Sequence, residues 1–296
     1  REAIRNLQSV TGTILLGPQD NNIITPTQPD GSGVDGVIAT MSAGPAVKTV
    51  IAGLLSEVSL QSARRLAEST YSRVVDTLDL SDKRRPDQQL DSIARSRPDL
   101  VVLTGGTDGG ASRSMLKMLE AVGLACYLMP AEKRPMVLYA GNHKLANDVR
   151  ELLGGHAGKL QISPNVRPSL EVEDLEPASN VLASLVTNLR QRQIKGVDEL
   201  YNWSSGNLLP TAYAQGRMIR FLSRLYESTR GLLSVNMGAS ASTVAAGFNG
   251  ELTLGVYPQF GLGENLGAIL QHTEIEQIMR WMQLDISSNT LREFLF

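Results

Sequence analysis

The sequence predicts an α/β fold with a largely parallel sheet and flanking helices. Two short apolar runs, residues 100–103 and 136–139, have the composition of buried strands. Each run ends in a turn of glycines and small polar residues, and a segment with helical character follows the turn. Strands that alternate with helices form parallel sheets, whose ligands lie at the carboxyl ends of the strands. We therefore expect ligand sites at these turns.

Composition limits the classes of partner. The chain has 296 residues, enough for one large domain or two ordinary ones. Its 28 Lys and Arg residues against 30 Asp and Glu residues give a formal charge of -2, which argues against nucleic acid or an anionic membrane as a partner. No apolar run approaches the roughly 18–20 residues that cross a bilayer. We expect a cytoplasmic protein, and both ends of the chain, Arg1 and Phe296, resemble cuts in a longer one.

Cys126 is the single cysteine of the chain. One cysteine excludes an internal disulfide framework and any zinc site built from cysteines alone. Because it lies in the apolar run 124–129, we expect a buried structural thiol.

The first elements are predicted on either side of a polar loop. A short strand is expected over residues 11–16, the loop over residues 17–35, and a second strand over residues 37–39. A small-residue turn then leads to a predicted helix, whose first turn suits Pro45. The apolar residues of this helix recur at helical spacing: Val47, Val50, Ile51, Leu54, Leu55 and Val58. Ser59 is expected to cap a second helix, which contains Ala63, Leu66 and Ala67.

Helices dominate the middle of the chain, and strands follow them. Helices are predicted after the turn at residues 105–110, near Lys144, and over residues 181–194 and 212–226. An acidic stretch before the third helix is interpreted as a solvated helix start: Glu171, Glu173, Asp174 and Glu176. Past Gly231 three strands are predicted, over residues 232–235, 243–248 and 252–256, with a hairpin at Asn249-Gly250. We therefore assign residues 1–230 to a first α/β lobe with a helical insert and residues 231–296 to the beginning of a second lobe.

The turn at residues 105–110 is the first candidate site. Gly105, Gly106 and Gly109 permit positive φ angles and a close approach of backbone amides to an anion, and Asp108 is suited to hold a cation or a hydroxyl group. A tight connection with Asp108 as a helix cap explains the same pattern equally well. No Gly-x-x-x-x-Gly-Lys-Ser/Thr motif occurs, which excludes a P-loop.

The turn at residues 236–243 is the second candidate, because an apolar strand runs directly into small residues and hydroxyls. Gly238 lets the chain approach a phosphate, while Ser240, Ser242 and Thr243 can donate hydroxyl hydrogen bonds. Asn236 stands where a magnesium-organising carboxylate is expected, and its neutral oxygen predicts a weaker affinity for magnesium. Nucleotide binding without hydrolysis is therefore one expected outcome.

Other polar residues carry weaker signals. Asn142, at the end of a predicted strand, is more often a turn residue than a ligand. Glu264 lies in a segment with glycines at positions 261, 263 and 267, but no clean strand precedes it, which argues against a dinucleotide site. The three histidines lack metal-ligand spacing, so no metal site is predicted from them: His143, His156 and His272.

Several motifs together resemble a known family: the accessory proteins of adenosylcobalamin-dependent glutamate mutase, labelled MutL or GlmL and unrelated to the mismatch-repair protein of similar name. Short matches in the right order are more specific than any one of them, and they extend over most of the chain. The matching segments are residues 41–45, 103–110, 137–142, 209–211, 236–243 and 261–267.

The resemblance implies an actin-like ATPase, in which two ribonuclease-H-like lobes with mixed sheets enclose a nucleotide. It implies ATP or ADP with Mg²⁺ as ligand, an adenosylcobalamin-dependent mutase as partner, and a chaperone-like exchange of damaged cobalamin driven by ATP. A homodimer is a further expectation. By the resemblance, Gly238, Ser240 and Thr243 fall on the phosphate turn of the second lobe, and Asn236 falls where the family usually has Asp.

Two parts of the family's nucleotide pocket are not found. No acidic residue followed by Gly-Ser-Thr-Thr precedes Thr11, and the adenosine-binding glycine pair of the second lobe is missing. We therefore expect a fragment of a larger two-lobe protein, with part of a nucleotide pocket and weak or no ATPase activity of its own.

Two alternatives stay open at this point. A degenerate, non-catalytic actin-like scaffold or interaction module is favoured by Asn236. An unrelated α/β enzyme for a small molecule would use residues 105–110 with Asp108.

Overall fold

The computed structural model describes residues 1–226, 230–263, 265–280, 282 and 285–295. It opens with helix α1 (Glu2–Thr11), which ends at Gly12 in the left-handed conformation. The strand predicted over residues 11–16 is wrong, since only an isolated bridge joins Leu16 to Ile23. The Gln8 side chain accepts the amides of Leu15 and Leu16, so the backbone there is satisfied without a sheet.

Five parallel strands form the main sheet, in the order β3-β2-β4-β5-β6. A separate two-stranded parallel sheet joins β1 to β7. The strands are β1 (Ala39–Met41), β2 (Val47–Ala52), β3 (Ser72–Leu78), β4 (Leu100–Leu103), β5 (Met136–Tyr139), β6 (Lys159–Ile162) and β7 (Leu208–Pro210). Numbered within the main sheet alone, the order is 2-1-3-4-5, that of a flavodoxin-like doubly wound sheet. The order reverses between β2 and β4.

Helices cover both faces of this sheet, so β4 and β5 are buried along their whole length. On one face α3, α4 and α5 pack around Val50, Val101 and Val137, and on the other α2 and α6 pack around Ile51 and Val102. The helices are α2 (Gln61–Glu68), α3 (Pro86–Ser96), α4 (Ser112–Leu128), α5 (Ala146–Leu153), α6 (Glu176–Gln193) and α7 (Val197–Trp203). The predicted α/β class with a parallel sheet and flanking helices is confirmed, and it is consistent with an actin-like protein.

The helix predicted from Val47 to Val58 is wrong. Its first half is β2, and a π-helical turn follows at Ser56–Leu60. The apolar side chains of β2 enter the cores on both faces of the sheet, which produces an apolar run that imitates helical spacing. Pro45 consequently precedes a strand. Ser59 accepts the amide of Leu55 within the π-helical turn and does not cap α2.

The predicted buried thiol is confirmed. Cys126 lies on α4 with no exposed surface, and burial raises its pKa to about 11. No helix within the described ranges is both long enough and apolar enough to span a bilayer.

The C-terminal third contains an antiparallel meander of β8 (Leu232–Met237), β9 (Ser242–Phe248) and β10 (Glu251–Tyr257), with β9 in the centre. Asn249 (φ 50°) and Gly250 (φ 83°) form the predicted hairpin turn. Helix α8 (Thr211–Leu225) packs on one face of the meander, where Gly216 approaches Leu252. Three short helices follow: α9 (Leu266–His272), α10 (Ile275–Met279) and α11 (Ser288–Leu295). The division into lobes near Gly231 stays a prediction.

Candidate functional site

Three neighbouring strands end in polar turns at the same edge of the main sheet. β4 leads into residues 105–110, β5 leads into Gly141 and Asn142, and β6 leads into residues 163–165. Because these strands are parallel, their carboxyl ends place the turns side by side. The structure thereby brings together five residues predicted as site residues: Gly105, Gly106, Asp108, Gly109 and Asn142.

Asn142 holds the loop at residues 105–110 in place. It has no exposed surface. Its Oδ1 accepts the amides of Gly109 and Lys144, each at 3.1 Å, and its Nδ2 donates to the carbonyl of Gly110 at 2.8 Å. Its own amide donates to the carbonyl of Gly105 at 3.1 Å. The loop therefore has one defined shape, set from the end of the neighbouring strand.

Positive φ angles favour glycine at three positions of this loop, one of which is Gly106 at φ 70°. Gly105 has φ 130° and Gly109 has φ 83°, conformations that L side chains rarely adopt. Gly105 lies against Leu54, a residue just after the end of β2. The strand order of the sheet reverses between β2 and β4, so this contact lies at the reversal. Lys144 lies over Gly109: a Cβ added at Gly109 would be 3.0 Å from Lys144 Nζ. One amino group thus stands beside the glycine-rich loop.

Asp108 is the acidic group of this edge. Its Oδ1 lies 2.9 Å from Asn165 Nδ2, 3.0 Å from His143 Nδ1 and 3.2 Å from the His143 amide. Burial raises the pKa of Asp108, but the hydrogen bonds from Asn165 and His143 outweigh burial and hold the pKa below its ordinary value. The carboxylate is therefore ionised at neutral pH, and its partly exposed oxygens can accept a cation or a hydroxyl donor.

Two residues of this edge, Asn165 and His143, are not predicted from the sequence. Asn165 donates to the carbonyl of Gly106 at 2.9 Å as well as to Asp108. The Ser-Pro-Asn sequence directly after β6 is the pattern that could have indicated Asn165. β6 itself is too short and too polar to be recognised as a strand from the sequence. His143 directly follows Asn142 at the end of a predicted strand, which is the signal for it.

The second candidate turn joins β8 to β9. Asn236 and Thr243 face each other across the two strands, and the Gly238 amide donates to the carbonyl of Ala241 at 3.0 Å. Residues 261–263 lie directly on this turn. The amide of Leu262 donates to the carbonyl of Gly238 at 3.0 Å. At Gly261 a Cβ would lie 2.5 Å from the carbonyl carbon of Ser240, so the glycines at 261 and 263 permit close contact between two backbone segments.

The polar side chains of this turn differ in exposure. Asn236 and Ser240 are exposed. Ser242 and Thr243 are buried, and Ser242 Oγ donates to the carbonyl of Phe260 at 2.7 Å. The polar side chains that this turn offers to a ligand are therefore Asn236 and Ser240, while both backbone groups of Gly238 are already hydrogen-bonded. Glu264, the remaining candidate, lies outside the described residues.

The two candidate turns have separate hydrogen-bond partners. The first is held by Asn142 and Asn165, and the second by residues 260–263. Among the described residues, no group of three or more His, Cys, Asp or Glu side chains is arranged to hold a metal ion.

A cleft of about 730 Å³ separates the main sheet and its helices from the meander. Charged and aromatic side chains line it, among them Arg65, Tyr213, Arg217, Arg220 and Tyr257. As far as the described residues go, the lining contains none of those predicted as site residues.

Similarity to known proteins extends over nearly the whole chain. A family model described as MutL protein matches residues 1–286. The chain is also similar to Protein MutL of Clostridium tetanomorphum, with 28% identity over 222 residues, which are 72% of this chain and 45% of that protein. The chain thus spans less than half of the length of this relative. The match over residues 1–286 includes both candidate turns, and the chain belongs to the MutL family.

Proposed function

We propose that the full-length protein binds ATP or ADP and acts as a reactivating, chaperone-like accessory protein for an adenosylcobalamin-dependent mutase. The observation that carries this proposal is membership of the MutL family over residues 1–286. The same membership argues against the alternative of an unrelated α/β enzyme.

The turn between β8 and β9 supports the phosphate part of the proposal. The hydroxyl of Ser240 is exposed, and Gly238 carries no side chain that would keep a phosphate away. Ser242 and Thr243 contribute less than their sequence pattern predicts, because both are buried in the sheet. The Gly238 amide is already bonded to the Ala241 carbonyl, so the Ser240 hydroxyl is the donor we assign to a phosphate here, with Gly238 leaving room for it.

The same turn does not fit a tightly held magnesium ion. Asn236 offers a neutral oxygen, whereas Mg²⁺ in nucleotide sites is usually held by carboxylates together with the phosphates. We therefore propose binding of the nucleotide at this turn and assign no hydrolytic step to it.

Residues 105–110 are the second phosphate candidate, favoured by Asp108 and Lys144. An ionised Asp108 can hold a Mg²⁺ ion that accompanies the phosphates, and Lys144 adds a positive charge beside Gly109. Asp108→Asn tests this candidate. Here we expect the magnesium dependence of ATP binding to disappear while ADP binding without magnesium is retained.

Calorimetric titration of the full-length protein with ATP and ADP tests nucleotide binding. Gly238→Asp places a negative charge at the turn, and we expect at least a tenfold loss of affinity. Gly155→Asp is the matched control, because a Cβ at Gly155 meets open space and its φ is ordinary. Equal affinities in the wild type and both variants would exclude the turn as the phosphate site. No binding by the wild type would refute the nucleotide part of the proposal.

Asn236→Asp separates an active ATPase from a degenerate scaffold. If the protein lacks magnesium-dependent hydrolysis because residue 236 is Asn, the substitution should restore hydrolysis. Aspartate supplies a negative charge beside the turn, where it can help to hold Mg²⁺. Initial rates of phosphate release with Mg²⁺ measure this effect. A rate unchanged from a low wild-type value would count against a role of Asn236 in suppressing hydrolysis.

Recovery of an inactivated mutase tests the accessory role. We expect the full-length protein, with ATP and fresh adenosylcobalamin, to restore activity to a mutase that carries damaged cobalamin, and ADP alone not to do so. ATP binding without any recovery would leave a nucleotide-binding protein and overturn the reactivating role.

A further inference from the structure

His143 and Asp108 form a pair at the carboxyl edge of the main sheet. Asp108 Oδ1 lies 3.0 Å from the ring Nδ1 of His143 and accepts the His143 backbone amide at 3.2 Å. Asn165 Nδ2 donates to the same oxygen at 2.9 Å, so the carboxylate is itself held in place. One carboxylate therefore orients both the backbone and the ring of His143.

This contact leaves one ring nitrogen of His143 for a ligand. A neutral imidazole carries its proton on one nitrogen, and here the proton lies on Nδ1, which donates to Asp108. The lone pair is then on Nε2, which points away from Asp108. The side chain of His143 is 61% exposed, so a ligand can reach it. A histidine that donates its other ring N–H to a carboxylate is the usual arrangement of a metal ligand.

The pair offers one nitrogen, which is too little to hold a free metal ion. Within the part of the chain that the structure describes, no three or more His, Cys, Asp or Glu side chains are arranged around a metal position. One nitrogen is enough for a metal ion inside a planar macrocycle, because the protein then fills an axial position only. The geometry therefore favours a metal macrocycle over a free ion.

Exposed apolar side chains occur in the loop that contacts Asp108. Pro168, in the loop after β6, accepts the Asp108 amide at 3.0 Å. Leu170 and Val172 belong to the same loop and are 60% and 49% exposed. Sites for organic ligands combine apolar contact area with a few well-placed polar groups. The loop thus supplies the apolar part of such a site and His143 the polar part.

We propose that His143 Nε2 binds the cobalt ion of a corrinoid as an axial ligand, with Asp108 as a positioning residue. The corrin ring fills the equatorial positions, so a cobalt–nitrogen bond forms as a cobalt–oxygen bond breaks, a water molecule leaves, and no electron is transferred. The choice of a corrinoid rests on the proposed function, in which cobalamin is exchanged. The bond holds the corrinoid on the accessory protein during that exchange.

Electron paramagnetic resonance of Co(II) cobinamide with the full-length protein tests the proposal. Cobinamide lacks the benzimidazole base of cobalamin, so an axial nitrogen comes from the protein. We expect the cobalt lines to split into triplets from one axial nitrogen, and the splitting to disappear in His143→Ala. Asp108→Asn should weaken binding at least about tenfold, as expected when a metal-ligating histidine loses its carboxylate. His272→Ala, at an exposed histidine of α9, is the matched control and should keep the splitting.

The samples contain no nucleotide and no Mg²⁺, so the result is independent of the phosphate candidates. Absence of nitrogen splitting in the wild type would overturn the proposal. Splitting that persists in His143→Ala would overturn it too, because another histidine would then be the ligand. An unchanged affinity in Asp108→Asn would refute the positioning role.

Protection of His143 from diethyl pyrocarbonate, read by mass spectrometry, checks the protein without a substitution. We expect cobinamide to slow the modification of His143 and not that of His272, and equal rates with and without cobinamide would contradict the proposal. Mutase recovery without a cobalt–nitrogen bond would leave the proposed function intact and refute this inference alone. A cobalt–nitrogen bond without mutase recovery would support the inference and overturn the reactivating role.

Discussion

Asn142 has both polar atoms of its side chain engaged by backbone groups. We predict that Asn142→Ala lowers the free energy of unfolding by about 2 kcal/mol, because it leaves backbone groups at Gly109, Gly110 and Lys144 without their partner. Urea unfolding followed by circular dichroism measures this change.

Asn147→Ala is the matched control for this prediction. Asn147 is exposed on α5 and contacts Arg150, so its removal should change the free energy of unfolding by less than about 0.5 kcal/mol. An equally small effect of Asn142→Ala would show that the loop at residues 105–110 keeps its shape without the Asn142 side chain.

Glu173 connects α2 to the loop that follows β6, although the sequence predicts a solvated residue there. It accepts hydrogen bonds from Ser62 and Arg65, each at 2.5 Å, and from Arg167 at 3.2 Å. Burial raises the pKa of Glu173, but the hydrogen bonds from Ser62 and Arg65 outweigh burial and hold the pKa below its ordinary value of 4.5. The folded protein therefore favours the charged form.

The stabilisation by Glu173 is fully present above the ordinary pKa and is lost as the pH falls through the lower pKa of the folded state. We predict that Glu173→Gln lowers the melting temperature at pH 7. Below pH 4.5 the melting temperature of this variant should fall less with decreasing pH than that of the wild type. Thermal unfolding from neutral to acidic pH measures both effects. Glu171→Gln removes an exposed charge from the same loop and should leave the profile unchanged. Parallel profiles for wild type and Glu173→Gln would rule out the proposed linkage.

At the scale of elements, β4, β5 and the meander are predictable, whereas β2, whose apolar run imitates helical spacing, and the two edge strands are not. β4 and β5 are short, wholly apolar and followed by glycine turns, so their signal is unambiguous. β3 and β6 lie at the two edges of the sheet, are only partly buried and contain polar residues, so no apolar pattern marks them. Asn165 follows one of these strands, which explains why it is absent from the sequence-predicted site.

The turn of the β9–β10 hairpin is clearly predicted by its local sequence, Asn249-Gly250. Gly250 has φ 83°, and a Cβ there would lie 2.7 Å from Arg224 Nε. We predict that Gly250→Ala lowers the free energy of unfolding by about 1–2 kcal/mol, the approximate cost of a left-handed conformation in an L residue. Denaturant unfolding of the purified variants measures it.

Gly231→Ala is the control within the same region. At Gly231 a Cβ makes ordinary contacts at 3.6 Å and the φ is not positive, so we expect little change. If Gly250→Ala were as harmless as Gly231→Ala, a different turn geometry at residues 249–250 would be indicated.

At the scale of the whole molecule, the main sheet and the meander are joined through α8 and by polar contacts at the cleft. Arg220 of α8 pairs with Glu176 of α6 and donates from Nε to the Gly250 carbonyl at 2.9 Å. The Tyr213 hydroxyl contacts the Asn180 side chain. Contacts of this polar kind open more readily than a core such as that around β4 and β5, whose strands are buried along their length.

We predict that Arg220→Gln increases hydrogen exchange about threefold in α8 and β10 and leaves β4 and β5 unchanged. The substitution removes one ion pair and one hydrogen bond to the hairpin turn, and a partly exposed pair contributes up to about 1 kcal/mol. Arg217→Gln is the matched control, because Arg217 lies on the same helix and lines the same cleft without joining the Glu176 pair. Faster exchange in β4 as well would show that the meander and the main sheet open together as one cooperative unit. No change in any element would show that the ion pair contributes nothing to holding the two parts together.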